Sequence, residues 1–291
     1  MAAVLILVLR EATTPVVTNT TTSANPSPVS GRDPAPVVIP ALWIMWVIAT
    51  LFLSLRVYCR GYRTSSFWWD DHVLVMGYMF LTVANGLITA LQLKGFGLSL
   101  EFRPHMHTLS TTADVVNKMA LVLTKTSFAI TLLRLATGWH KWLIWVLVVT
   151  MWLIISINAV TTWFAACDRV GIDHYEAVLP DVCWSTMNSV LVAMVANCYS
   201  AIIDFVLALL PWKIVMSLQM KTHEKLGVGF AMSLGMLAGI VGVIKVYNIT
   251  TIASSPNIPY NLSLLFIWGQ AEPCATIVAT SIPMLRVLFR D

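Results

Sequence analysis

Seven long apolar blocks, joined by short segments that hold nearly all the charge, constrain this chain more than any other feature. They run Ile39–Val57, Asp71–Leu93, Val115–Leu135, Trp142–Ala165, Val190–Leu210, Leu226–Tyr247 and Leu262–Leu285. A helix needs about 20 mainly apolar residues to cross the hydrocarbon core of a bilayer, and every block is about that long. Only 11% of residues are Asp, Glu, Lys or Arg and 58% are hydrophobic, whereas a soluble domain carries about 25% charged residues. The pattern predicts an all-α fold, a bundle of seven transmembrane helices, with the lipid bilayer as its first partner and a multi-pass membrane location. The bundle fills residues 39–286, between an outer tail at 1–38 and a short cytosolic tail at 287–291. Seven spans leave no room for a soluble catalytic domain, and the net charge of +4 is no sign of a nucleic-acid partner.

How the charge is distributed sets the expected orientation, because short cytosolic loops are rich in Lys and Arg. Ten of the 18 lysines and arginines follow spans 1, 3, 5 and 7: Arg56, Arg60, Arg63, Arg134, Lys141, Lys213, Lys221, Lys225, Arg286 and Arg290. Five lie on the other side, and Lys118, Lys125 and Lys245 lie within spans. The N-terminus is therefore expected outside and the C-terminus in the cytosol. A reporter fused to the C-terminus and active only outside would sink this expectation.

Three sequons, at Asn19, Asn248 and Asn261, fall on the expected outer side and are candidate glycosylation sites. Cys167 and Cys183 share the outer loop between spans 4 and 5, where an oxidising environment permits a disulfide. Cys59, Cys198 and Cys274 are expected to stay reduced. Met1–Leu9 is apolar but short and lacks a basic leader, which argues against a cleaved signal peptide. Residues 11–40 are rich in Thr, Ser, Pro and Asn and are expected to be disordered. Trp43, Trp46, Trp68, Trp69, Trp139, Trp142 and Trp212 sit near block ends, as interfacial anchors do. Gly235 and Gly239 read as a close helix contact.

The ionisable groups inside the blocks carry the most information. A charge at mid-bilayer costs about 3 kcal/mol or more, so such groups turn inward and pair. Asp114 and Lys118 are four apart and can pair along one helix face. Lys125 lies deep in span 3, closely followed by Ser127. Span 5 offers Asn197, Ser200 and Asp204; span 6 offers Lys245; span 7 offers Trp268 and Glu272, one turn apart. Lys125 is expected to pair with Glu272 or Asp204. The candidate interior network is Lys125, Ser127, Asn197, Asp204, Trp268 and Glu272. It admits two readings, a salt-bridge network that locks helix register and the lining of a ligand pocket. His105-Met106-His107 has a metal-like spacing without a third ligand, so no metal site is expected. Phosphate-binding glycine loops, a nucleophile elbow and Cys-x-x-Cys are absent, and no residue set names a catalysed reaction.

Taken in order, several pieces resemble one known family. Arg56-x-Tyr58-x-Arg60 precedes Trp69-Asp70-Asp71, and Gly95-Phe96-Gly97 follows span 2. Lys125-x-Ser127 precedes Arg134, Cys167 and Cys183 bracket the second outer loop with Trp184 after it, and Asp204 precedes Pro211. Trp268-x-x-x-Glu272 precedes Pro283-x-Leu285-Arg286. This set resembles the fungal integral membrane proteins with a rhodopsin-like domain, among them a satratoxin-cluster membrane protein and receptor-like proteins linked to pathogenicity. The chain departs from the family at Ser99, where His is common, and at Lys245, where Arg is common. The resemblance implies a membrane component of a fungal secondary-metabolite, or mycotoxin, pathway that binds or handles an apolar intermediate beside pathway enzymes. The alternatives are a receptor-like sensor of an outer ligand coupled to a cytosolic transducer, and a transporter. Retinal is not expected as a cofactor. Microbial rhodopsins carry the Schiff-base lysine in span 7, and span 7 here has none.

Overall fold

The computed structural model describes residues 34–64, 68–96, 104–135, 138–166, 179–217, 222–253 and 258–285. Seven long helices dominate: α1 Ala35–Tyr58, α2 Trp69–Leu93, α3 Pro104–Leu135, α4 Trp139–Thr161, α5 Thr186–Ser217, α6 Thr222–Ala253 and α7 Ile258–Leu285. Six of them have stretches long and apolar enough to cross a membrane. On α6 the apolar stretch among the described residues is the shorter Ser233–Ile249. Asn19 and Cys167 lie outside the described residues, as do the tails at 1–33 and 286–291.

Helix boundaries follow local chemistry. Pro34 caps α1 and Pro36 sits in its first turn, where a missing N–H costs nothing. Asp70 and Asp71 open α2, where carboxylates face the positive end of the helix dipole. Gly95 ends that helix at φ +82°, a left-handed conformation that glycine adopts without strain. Between α1 and α2 the chain winds into a π-helical turn, Cys59–Thr64.

One expectation needs correction. Block 4 does not reach Ala165 as helix. α4 stops at Thr161, and Phe164–Ala166 forms a short parallel pair with Leu179–Trp184. Hydropathy alone cannot separate a helix end from an apolar strand. The expected seven-helix bundle stands, with this one small strand pair beside it among the described residues. Cys183 lies on the second strand, opposite Ala165.

The bundle is arranged around α7. In its most apolar 18-residue stretch α7 is 83% buried, against 56% for α3 and 33% for α1, α2, α4 and α5. It packs against α1, α2, α3 and α6. The outer helices turn large apolar side chains away from the bundle, such as Leu51 of α1, Met79 of α2, Leu153 of α4 and Ile202 of α5. One apolar cluster joins α1, α2, α3 and α7 around Leu42, Leu81, Ile88 and Trp268. A second joins α3, α4 and α5 around Val122, Ile144, Met151 and Ile203. Helix α3 serves both, so polar groups on α3, α5 and α7 meet where the clusters divide.

Helices α5 and α6 approach closely through glycine. A Cβ added at Gly242 would stand 2.9 Å from the Ala201 Cβ, and one at Gly235 would stand 2.9 Å from the Ala208 Cβ. Gly242→Leu is expected to lower stability by about 1–3 kcal/mol through overpacking. Gly86→Leu should not, because nothing lies within 4 Å of a Cβ there. Unfolding midpoints in detergent check both, and equal midpoints for the two variants would reject the close-packing account.

Candidate functional site: a buried ion centre

The costliest groups in the bundle come together. The Lys125 ammonium stands 2.6 Å from Glu272 Oε1 and 2.9 Å from Asp204 Oδ1. It also donates to Ser200 Oγ at 2.6 Å and to the Ser200 carbonyl at 3.1 Å. Ser200 Oγ in turn donates to Glu272 Oε1 at 2.9 Å. Lys245 of α6 lies on the other side of the same carboxylate, 3.9 Å from Glu272 Oε2. Two cations and two anions thus form one centre from α3, α5, α6 and α7. Lys125 is 0% exposed and Glu272 1%. The sequence left Glu272 and Asp204 as alternative partners, and Lys125 binds both.

The other candidates are placed apart. Ser127 Oγ donates to the Asp70 carbonyl at 2.7 Å, away from the centre. Two residues along a helix do not share a face, so Lys125 and Ser127 point in different directions. Asn197 Nδ2 donates to the Ala193 carbonyl of its own helix at 2.7 Å. Trp268 is buried one turn from Glu272, inside the apolar cluster, and its Nε1 finds no hydrogen-bond partner among the described residues. Asp114 and Lys118 pair at 2.6 Å as expected, and Lys118 also reaches Thr162 Oγ1 at 2.8 Å, tying α3 to the end of α4. Asn248 lies within α6 and donates to the Ile244 carbonyl, and Asn261 lies in the first turn of α7. Cys59, Cys198 and Cys274 are free thiols.

A second buried ion cluster was not foreseen. Arg56 and Arg60 follow span 1 in the sequence as loop charges would, yet Arg56 is 1% exposed and Arg60 5%. Arg56 Nε donates to Asp71 Oδ1 at 2.9 Å and Nη2 to Asp70 Oδ2 at 2.8 Å. Its Nη1 donates to the Thr280 carbonyl of α7. Arg60, on the π-helical turn, reaches Asp70 at 3.0 Å and also Asp71. Thr131 Oγ1 of α3 adds a contact to Asp70 Oδ2 at 3.3 Å. Beside the cluster, Arg134 lies over the Trp68 ring, 4.3 Å from its centroid. The signal was present in the four-residue spacing of Arg56 and Arg60, followed by two acids opening the next helix.

Chemically, both clusters are self-neutralising. The Lys125 ammonium is surrounded by acceptors and has no lone pair to offer a carbonyl. No group of three or more His, Cys, Asp or Glu residues able to hold a metal ion occurs among the described residues. The fungal rhodopsin domain matches residues 55–291. The chain belongs to that family. The fungal rhodopsin match begins one residue before Arg56 and so includes every member of both ion clusters. No curated protein and no solved structure matches the chain.

Proposed function

We propose that this fungal rhodopsin domain holds an apolar small molecule inside the bundle, as a membrane component of a fungal secondary-metabolite pathway. The observation that carries the binding part is the buried Lys125–Asp204–Glu272 centre. Packing alone would be served by apolar residues of similar volume, since a buried ion pair is often no more stable than its apolar replacement. The pathway part rests on the motif resemblance, read from the sequence, to a family that includes a mycotoxin-cluster membrane protein. We place the N-terminus outside, following the bias of ten basic residues toward one side.

Retinal has no part in this reading. Helix α7 has no lysine at any position between Ile258 and Leu285. Lys125 is on α3 and is bound to two carboxylates and a hydroxyl. These residues do not fit a retinylidene lysine. No residue set in the sequence names a reaction, so handling an intermediate is favoured over transforming it.

Deleting the gene in the source fungus and profiling apolar metabolites tests the proposal. One product should disappear, or one intermediate accumulate, and the wild-type chain should reverse the change. An unchanged profile with a lost response to an external stimulus would overturn the proposal in favour of the sensor.

A further inference from the structure

The end of the bundle that holds the Arg56 cluster also carries positive charge that no described residue neutralises. Arg56 and Arg60 are buried there and matched by Asp70 and Asp71. Arg134, in the last turn of α3, and Lys141, in the first turn of α4, are exposed. No carboxylate pairs with either of them among the described residues. Both stand in a belt of tryptophan. Trp68 and Trp69 lie at the start of α2, and Trp139, Trp142 and Trp145 occupy the first two turns of α4, all between 46% and 80% exposed. Tryptophan gathers at the headgroup level of a bilayer, where one end of the side chain is apolar and the other wet.

The three helix ends are held together. Arg134 lies over the Trp68 ring, 4.3 Å from its centroid, which joins the end of α3 to the start of α2. Leu132 of α3 and Ile144 of α4 are buried in one apolar cluster, with Leu133, Leu143 and Leu147 packed against it. Gly138 caps α4 three residues after Leu135, a span of at most about 11 Å. Arg134 and Lys141 therefore serve the same patch of membrane surface.

The patch favours one class of ligand. A guanidinium lying over a ring uses its face there and keeps its N–H edge open, and that edge forks onto two oxygens of a phosphate. Beyond the tryptophans α4 continues as an apolar stripe. Trp142, Trp145, Val149 and Leu153 are each more than half exposed, and at spacings of three and four they share one helix face. A stripe of that kind accepts an acyl chain. Neither a free anion nor an acidic protein segment would use it.

We propose that this α2–α3–α4 end of the bundle binds an anionic phospholipid, with its phosphate on Arg134, its further negative charge met by Lys141 and an acyl chain along the α4 stripe. The site is independent of the interior-ligand reading. Anionic phospholipids are concentrated in the cytosolic leaflet, which agrees with the orientation proposed above for this end.

The test titrates the purified full chain in detergent with phosphatidylserine, phosphatidylcholine of the same acyl chains, and glycerophosphoserine, the headgroup without chains. Native mass spectrometry counts what is bound. Phosphatidylserine should bind about 30-fold more tightly than phosphatidylcholine, about fivefold for each cation, and glycerophosphoserine should not compete. Arg134→Gln and Lys141→Gln should each lose about fivefold, and Arg134→Lys less. Lys94→Gln, which removes an exposed lysine at the opposite end of α2, should lose nothing. The comparison of the three ligands on the wild-type chain needs no variant to fold. Equal affinity for the two lipids would overturn the recognition of charge. Competition by glycerophosphoserine as strong as by the whole lipid would overturn the acyl stripe in favour of a free-anion site. A loss with Lys94→Gln equal to that with Arg134→Gln would overturn the location, leaving only general attraction of a basic protein for an anionic lipid.

Discussion

Lys125→Met is expected to be among the most damaging single substitutions in the bundle, costing about 3–5 kcal/mol. Lys125 is the cation shared by Asp204 and Glu272, at 2.9 and 2.6 Å. Its removal leaves two buried carboxylates facing only Lys245, which is 3.9 Å from Glu272. Adding Glu272→Gln restores neutrality, with one acid and one base remaining, so the double variant should regain part of the loss. Thermal unfolding and the yield of monodisperse protein in detergent measure both. If the double variant is no more stable than Lys125→Met alone, the two residues are not energetically coupled. A Lys125→Met protein that folds normally would show that the centre does not carry the fold.

Arg56→Lys is expected to fail almost as badly as Arg56→Met, with a loss of about 3 kcal/mol or more. Conservation of charge should not help, because the guanidinium addresses three different acceptors at once. Nε serves Asp71, Nη2 serves Asp70 and Nη1 serves the Thr280 carbonyl. A lysine ammonium is a single point charge and cannot span that set. Arg134→Lys provides the contrast, since that side chain is exposed and lies over the Trp68 ring. It should cost less than about 1 kcal/mol. Comparable losses for the Arg56 and Arg134 lysine variants would show that charge, not geometry, holds this end of the bundle together.

How legible these features were depended on the energy each residue type risks. Helices were readable because a polar backbone in lipid has few solutions, and hydropathy reports span length directly. Lys125, Asp204 and Glu272 were readable because a charge cannot sit in an apolar block unpaired. Their joint pairing, with Ser200 closing the ring, needed three-dimensional register. Ser127 was misplaced because nearness in sequence was taken for nearness in space. Arg56 and Arg60 were hidden by their position, since a count of basic residues at block ends does not separate a solvated loop from a buried helix end. The buried amides Asn85, Gln92, Asn117 and Gln270 left little trace, because a neutral group, unlike a charge, does not call for a partner of opposite sign. The strand at Phe164–Ala166 was lost in an apolar run that continues α4 without a breaking residue.

The central position of α7 bears on how the protein is made. Synthesis delivers the seven helices in order, and the innermost of them emerges last. Until it inserts, Lys125 and Asp204 lack Glu272, Arg56 lacks the Thr280 carbonyl, and the buried faces of α1, α2, α3 and α6 have nothing to close upon. The growing chain must therefore reside in the membrane as a loosely gathered set of spans, with Lys245 of α6 lacking its Glu272 carboxylate in the very layer that tolerates a lone charge least. That interval is when insertion factors and quality-control proteases would recognise it. Chains interrupted before residue 258 should accordingly be cleared during biogenesis rather than accumulate as a stable six-helix product.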